Sequence, residues 1–166
     1  MLALVMGMPT QAGSAASASA LPDISHTLAF ENPKECDSAA LTDFFDRAAK
    51  SGGATLGPLG RVAVSRTRQV NGLVTQRASM RATWNGLTIV ALEHVTAPDS
   101  AYTEVNFYNL VFAEGGPITG PVLNRMGFGV SRIGQEKEIY DQNTMMNPYY
   151  ISLEVRGQGS MLKCLF

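Results

Sequence analysis

The sequence predicts an α+β fold: a mostly antiparallel sheet, formed as a four-stranded meander plus a C-terminal hairpin, packed with one amphipathic helix and a second short helix. Three observations carry this expectation. Leu41, Phe44, Phe45, Ala48 and Ala49 recur at the i, i+3, i+4, i+7, i+8 spacing of one apolar helical stripe. Asn71-Gly72 and Asn85-Gly86 each lie between runs rich in β-formers, and Asn-Gly is the strongest short hairpin signal. Tyr149, Ile151, Leu153 and Val155 alternate with Tyr150, Ser152, Glu154 and Arg156, the period of a strand with one apolar and one polar face. At 166 residues and 45% hydrophobic, the chain has room for one domain of ordinary size and is not compositionally disordered.

The first twenty residues carry no charged side chain. An apolar run from Leu2 to Met8 leads into a small-residue tract, and Ala18-Ser19-Ala20 gives the A-x-A pattern that signal peptidase needs. Residues 1–20 therefore read as a signal peptide cut before Leu21, although no Lys or Arg precedes the apolar run. That run is shorter than the ~20 apolar residues of a membrane helix, and nothing later is longer, so no membrane span is expected. The expected location is periplasmic or secreted.

Residues 21–35 carry Pro22 and Pro33 with no sustained period and read as an extended lead-in to a single α+β domain over 36–166. Cys36 and Cys164, an even pair without C-x-x-C spacing, are expected to form a disulfide in an exported chain; two separate buried thiols are the alternative. Asp37 or Ser38 can cap the first helix, Asp43 with Arg47 and Asp46 with Lys50 fall at i, i+4, and Ser51-Gly52-Gly53 ends it. Strands are expected near 61–70, 73–84, 87–96 and 102–113, the third and fourth apolar on both parities and so central. A short helix over about 118–126 would end at Gly127, with Phe128 as the apolar residue that follows. Gly157-Gln158-Gly159 then turns the last strand back into Ser160–Phe166.

Two-residue turns at both Asn-Gly sites fix a register. They set Arg66 opposite Arg77 and Arg77 opposite His94, which predicts one sheet face bearing Arg66, Arg68, Arg77, Arg81 and His94. The other face would carry Trp84, Met80, Ala82, Ile89 and Ala91 and seat the helix. Arginine offers fixed paired donors to carboxylate, phosphate or sulfate, so the basic face is a candidate site for a small anion or an acidic partner. The alternative is a solvated face whose arginines pair with neighbouring acids, Glu93 or Glu104, if the register slips by one.

Charge and motifs exclude several classes. With 13 Lys plus Arg against 14 Asp plus Glu, the net charge is −1, which gives no bulk attraction to nucleic acid. Two Cys and two His, His26 and His94, are too few for a structural zinc site, and no phosphate loop, H-E-x-x-H helix or acidic calcium loop is present, so no metal or cofactor is expected. Gly129-Val130-Ser131-Arg132-Ile133-Gly134 is one residue too long for a nucleophile elbow. Ser160 and Lys163 match S-x-x-K, but positions three apart on a strand point to opposite faces. The Met145–Tyr150 patch suits core filling or a partner surface. The leading expectation is an exported, non-catalytic binding or interaction domain. A small hydrolase or isomerase using His94 with an acid from Glu136, Glu138 or Asp141 is the alternative, and a structural subunit of an envelope assembly is a third.

Overall fold

The first helix starts at Ser38, whose extended backbone turns its hydroxyl onto the Leu41 amide at 3.2 Å while the same hydroxyl donates to the Ala29 carbonyl at 2.7 Å. One side chain thus caps the helix and ties it to the lead-in. In the computed structural model, which describes residues 20–70, 72–97, 106–130, 137–139 and 149–165, this helix is α1 (Ala39–Ser51), ended by Gly52 in the left-handed region. Leu41, Phe44, Phe45 and Ala48 are buried as the stripe predicts, whereas Ala49 at its margin is exposed. The signal-like segment up to residue 19, Glu104, Ser131, Glu136, Asp141 and the stretch 140–148 lie outside the described residues.

Among the described residues eight strands follow: β1 (Gly53–Thr55), β2 (Arg61–Arg68), β3 (Val74–Trp84), β4 (Leu87–Thr96), β5 (Asn106–Phe112), β6 (Lys137–Ile139), β7 (Tyr149–Arg156) and β8 (Gly159–Leu165), with α2 (Gly116–Arg125) after β5. They form one antiparallel sheet in the order β1-β2-β3-β4-β5-β8-β7-β6. The meander and terminal hairpin are both present, but β8 pairs with β5, so the hairpin continues the sheet and β8 becomes an interior strand. The short strands β1 and β6 are additions that periodicity could not show.

Two local features change the expected register. Asn85 and Gly86 both have positive φ (50° and 82°), so the second turn is the expected two-residue one and Trp84 pairs with Leu87. The first is instead a three-residue loop: the Gly72 amide bonds the Gln69 carbonyl, Gly72 takes φ 86°, and the Gln69 amide bonds the Leu73 carbonyl. Arg66 therefore pairs with Gln76, not Arg77. A bulge between Ser79 and Ala82 then shifts β3 by one residue against β4, so Arg77 pairs with Glu93, not His94. A further shift between Ile89 and Ala91 on β4 follows against β5.

The first face of the sheet carries the main core. Ala78, Leu92, Leu110, Leu162 and Leu153 pair in one row across five strands, and each is at most 1% exposed. The next row is Gln76, His94, Tyr108, Cys164 and Ile151, over which α1 lays Phe45, its ring stacked on Tyr108 at 5.8 Å. Helix α2 ends in the predicted manner, with the Gly127 amide bonding Asn124 and the Phe128 amide bonding Leu123, which delivers Phe128 fully buried against Phe30 and Trp84.

The lead-in is more than an extended approach. Ile24 and Leu28 are fully buried, the Ile24 amide donates to the Thr83 carbonyl and the Thr83 amide to the Pro22 carbonyl, and the Trp84 indole donates to the Leu28 carbonyl at 2.7 Å. The packed unit therefore takes in residues ahead of Cys36. Cys36 and Cys164 form the expected disulfide, buried, joining the segment before α1 to interior strand β8.

Candidate functional site

The second face of the sheet carries residues that strand pairing aligns from five strands. Arg77 (β3), Glu93 (β4), Asn109 (β5), Lys163 (β8) and Ser152 (β7) are successive cross-strand neighbours. Beside this row lie Ala91, Val111 and Met161, a small buried apolar cluster. Along the face runs a groove of about 260 Å³, whose lining includes the charged and polar residues Glu93, Asn109, Glu154, Arg156 and Lys163 and the apolar residues Leu73, Val95, Phe107 and Met161.

Glu93 is only 5% exposed, and its carboxylate is held from three directions. The Arg77 guanidinium pairs with Oε1, Arg156 stands 3.9 Å from the same oxygen, and Asn109 Nδ2 donates to Oε2 at 2.9 Å. A buried carboxylate keeps its charge only with such partners. The Glu93 bond also orients the Asn109 amide: with Nδ2 committed, Oδ1 faces away from Glu93, and it has no hydrogen-bond partner among the described residues. Asn109 is 4% exposed, so an unsatisfied acceptor there costs about 1–3 kcal/mol. Lys163, next in the row, sets its ammonium 5.1 Å from the Phe107 ring centroid.

The five residues expected on one basic face are not brought together. Arg66 and Arg68 lie exposed on edge-proximal β2, in the rows of Gln76–His94 and Val74–Thr96, and so share the first face with His94. Arg77 is on the second face with Glu93, and Arg81 is exposed within the bulged stretch of β3. Ala91 likewise lies on the second face, not on the helix-seating face expected for it. The cause is the three-residue loop and the bulge, each of which moves the pairing by one residue.

His94 is held between two amides, Nδ1 to Gln76 Oε1 at 3.2 Å and Nε2 to Asn106 Oδ1 at 2.7 Å, with Tyr108 stacked at 4.6 Å between centroids. Burial pulls its pKa below the ordinary 6.5, against weaker upward pulls from the Asn106 bond and the Asp46 charge. A neutral imidazole offers one donor and one acceptor, which two amides satisfy when one presents its NH2 group. Strand β6, which carries Glu138, lies four strand spacings from β4, about 19 Å along the sheet. Ser160 is buried on the first face, donating to the Glu114 carbonyl at 2.7 Å, while Lys163 is on the second, so the two do not converge.

A second, more basic cleft of about 300 Å³ lies at the end of α1 between Arg47, Lys50 and Arg61. Two of its cations are engaged, Arg47 with Asp43 at 2.9 Å and Arg61 with the Ser51 carbonyl at 2.7 Å. Among the described residues no group of three or more His, Cys, Asp or Glu could hold a metal ion, and no helix is long and apolar enough to cross a membrane.

No family model, curated protein or solved structure matches the chain. The Arg77–Glu93 pair is the arginine–acid pairing that the sequence offers on a one-residue slip, whereas Asn109, Arg156 and Lys163 are not singled out for the groove there, although Asn109 is a polar residue inside a run with apolar residues on both parities.

Proposed function

We propose that this chain is an exported, non-catalytic binding domain whose second sheet face takes a small polar ligand in the groove beside Glu93 and Asn109. The observation that carries the reading is the buried Oδ1 of Asn109, a residue that lines the cavity, oriented by the Glu93 bond and lacking a partner among the described residues. Buried polar atoms are nearly always satisfied in folded proteins, so each exception calls for a partner such as a bound group or water. The groove is slightly smaller than the ~300–1,000 Å³ of drug-sized sites, which suits a metabolite-sized ligand. Export is supported by the buried Cys36–Cys164 bond, since disulfides persist in oxidising compartments, and by the uncharged, small-residue-terminated first twenty residues.

Methyl-labelled methionine gives a direct readout, because Met161 lines the groove. At least one compound in a panel of amino acids, sugars and small organic acids should shift the Met161 methyl resonance saturably and raise the melting temperature. A panel that leaves Met161 unmoved removes the groove as a ligand site. Intact mass of the chain produced in a bacterial host, before and after reduction, tests export: the expected product starts at Leu21 with no free thiol, and an uncut chain with two free thiols overturns that part.

A further inference from the structure

Resting on that reading of the groove, we infer that its ligand is a small zwitterion: an ammonium and a carboxylate carried on one apolar frame, as in a free α-amino acid. The lining holds two carboxylates, Glu93 and Glu154, and two cations, Arg156 and Lys163. With Glu93 offset by its Arg77 pair, a bare anion would gain from Arg156 and Lys163 and be opposed by Glu154, and a bare cation would meet the reverse. A dipolar ligand gains from both.

The order of groups in the wall gives the dipole a direction. Glu93 and Asn109 are adjacent cross-strand neighbours and together form the acceptor end: Glu93 supplies carboxylate lone pairs, and Asn109 Oδ1 is an acceptor with no partner among the described residues. An ammonium, with three donors, fits there. Lys163 continues the row beyond Asn109, and Arg156 stands at the edge of the same groove, so a carboxylate reaches a donor within the span of a small molecule. Arg156 is free to turn toward it, because its side chain is 55% exposed and its approach to Glu93, at 3.9 Å, is at the limit of an ion pair. Phe107, Val95 and Met161 supply the surface for an apolar frame. The anion expected from the sequence gives way because Arg77, its central donor, is committed to Glu93.

The test titrates the full chain with L-phenylalanine, phenethylamine and 3-phenylpropionate, following the Met161 methyl resonance, with D-glucose as an uncharged polar probe. The expected result is saturable binding of L-phenylalanine with each singly charged analogue at least tenfold weaker. Lys163→Gln should raise the L-phenylalanine dissociation constant severalfold while leaving the weak phenethylamine constant unchanged. Equal affinity for L-phenylalanine and 3-phenylpropionate would make the groove an anion site and overturn the inference, and equal affinity for phenethylamine would make it a cation site with the same consequence. A shift with D-glucose but not with L-phenylalanine refutes the zwitterion and leaves the groove standing. No shift with any of the four, together with none from the broader panel, removes both.

Discussion

Burial lowers the pKa of His94, so the folded state prefers the neutral ring that Gln76 and Asn106 hold between them. The sign of the resulting pH dependence follows from proton counting. Between the lowered folded value and the ordinary 6.5, the unfolded chain binds a proton at this position that the folded chain does not. The contribution to stability is thus fully present above about pH 6.5 and is lost as pH falls through the folded value. The parent melting temperature should therefore fall more steeply between pH 7.5 and pH 5 than that of His94→Gln, a slope that calorimetry at matched ionic strength would read. Equal slopes would show that His94 is no more sheltered folded than unfolded. The same residue illustrates why a histidine beside arginines in one register is not a site: its neighbours are decided by pairing, and pairing placed Gln76, Asn106 and Tyr108 around it.

At the scale of elements, a strand's neighbours constrain it more tightly than its own composition. Gly159 opens β8 directly against β5, and a Cβ at that position would run into the Phe112 backbone carbonyl. That carbonyl belongs to an interior strand and cannot retreat without disturbing the Phe112–Ser160 pairing. Gly159→Ala should cost about 1–3 kcal/mol, the range for overpacking, while Gln158→Ala in the exposed turn should stay within about 0.5 kcal/mol. Chemical denaturation of the two variants separates them, and equal midpoints would show that β8 can slide. The helices and the four meander strands were legible in the sequence because each carries its own period: the Leu41–Ala48 stripe, the Asn-Gly turns, and the doubly apolar β4. Their faces were not. Asn71-Gly72 is compatible with both a two-residue turn and a three-residue loop ending in left-handed Gly72, and nothing in the composition of Ser79–Ala82 announces a bulge. One single-residue shift, at the bulge between Ser79 and Ala82, sufficed to part Arg77 from His94 and bring it to Glu93, in a row that five strands build.

For the molecule as a whole, the Cys36–Cys164 bond joins residues 128 apart in sequence, and the lead-in, α1 and the middle of the sheet meet at it. In the chain-entropy treatment, closing so long a loop removes about 5 kcal/mol of freedom from the unfolded state, an upper figure because unfolded chains keep some structure. The paired variant Cys36→Ala/Cys164→Ala should lose about 2–5 kcal/mol in urea unfolding, with a larger m value because its unfolded state is more expanded. The loss should not be spread evenly. Strand β8 retains ladder bonds to both β5 and β7 whether or not Cys164 is bridged. The lead-in retains far less: backbone bonds near Thr83, the Leu28 carbonyl on Trp84, and the burial of Ile24 and Leu28. Native-state hydrogen exchange of the bridged and unbridged proteins should therefore show the Ile24 and Leu28 amides losing protection while the Leu162 amide in β8 still exchanges only through global unfolding. Loss at β8 first would mean that the disulfide holds the sheet together; loss at the lead-in first means that it holds the lead-in and α1 onto a sheet that stands by its own pairing.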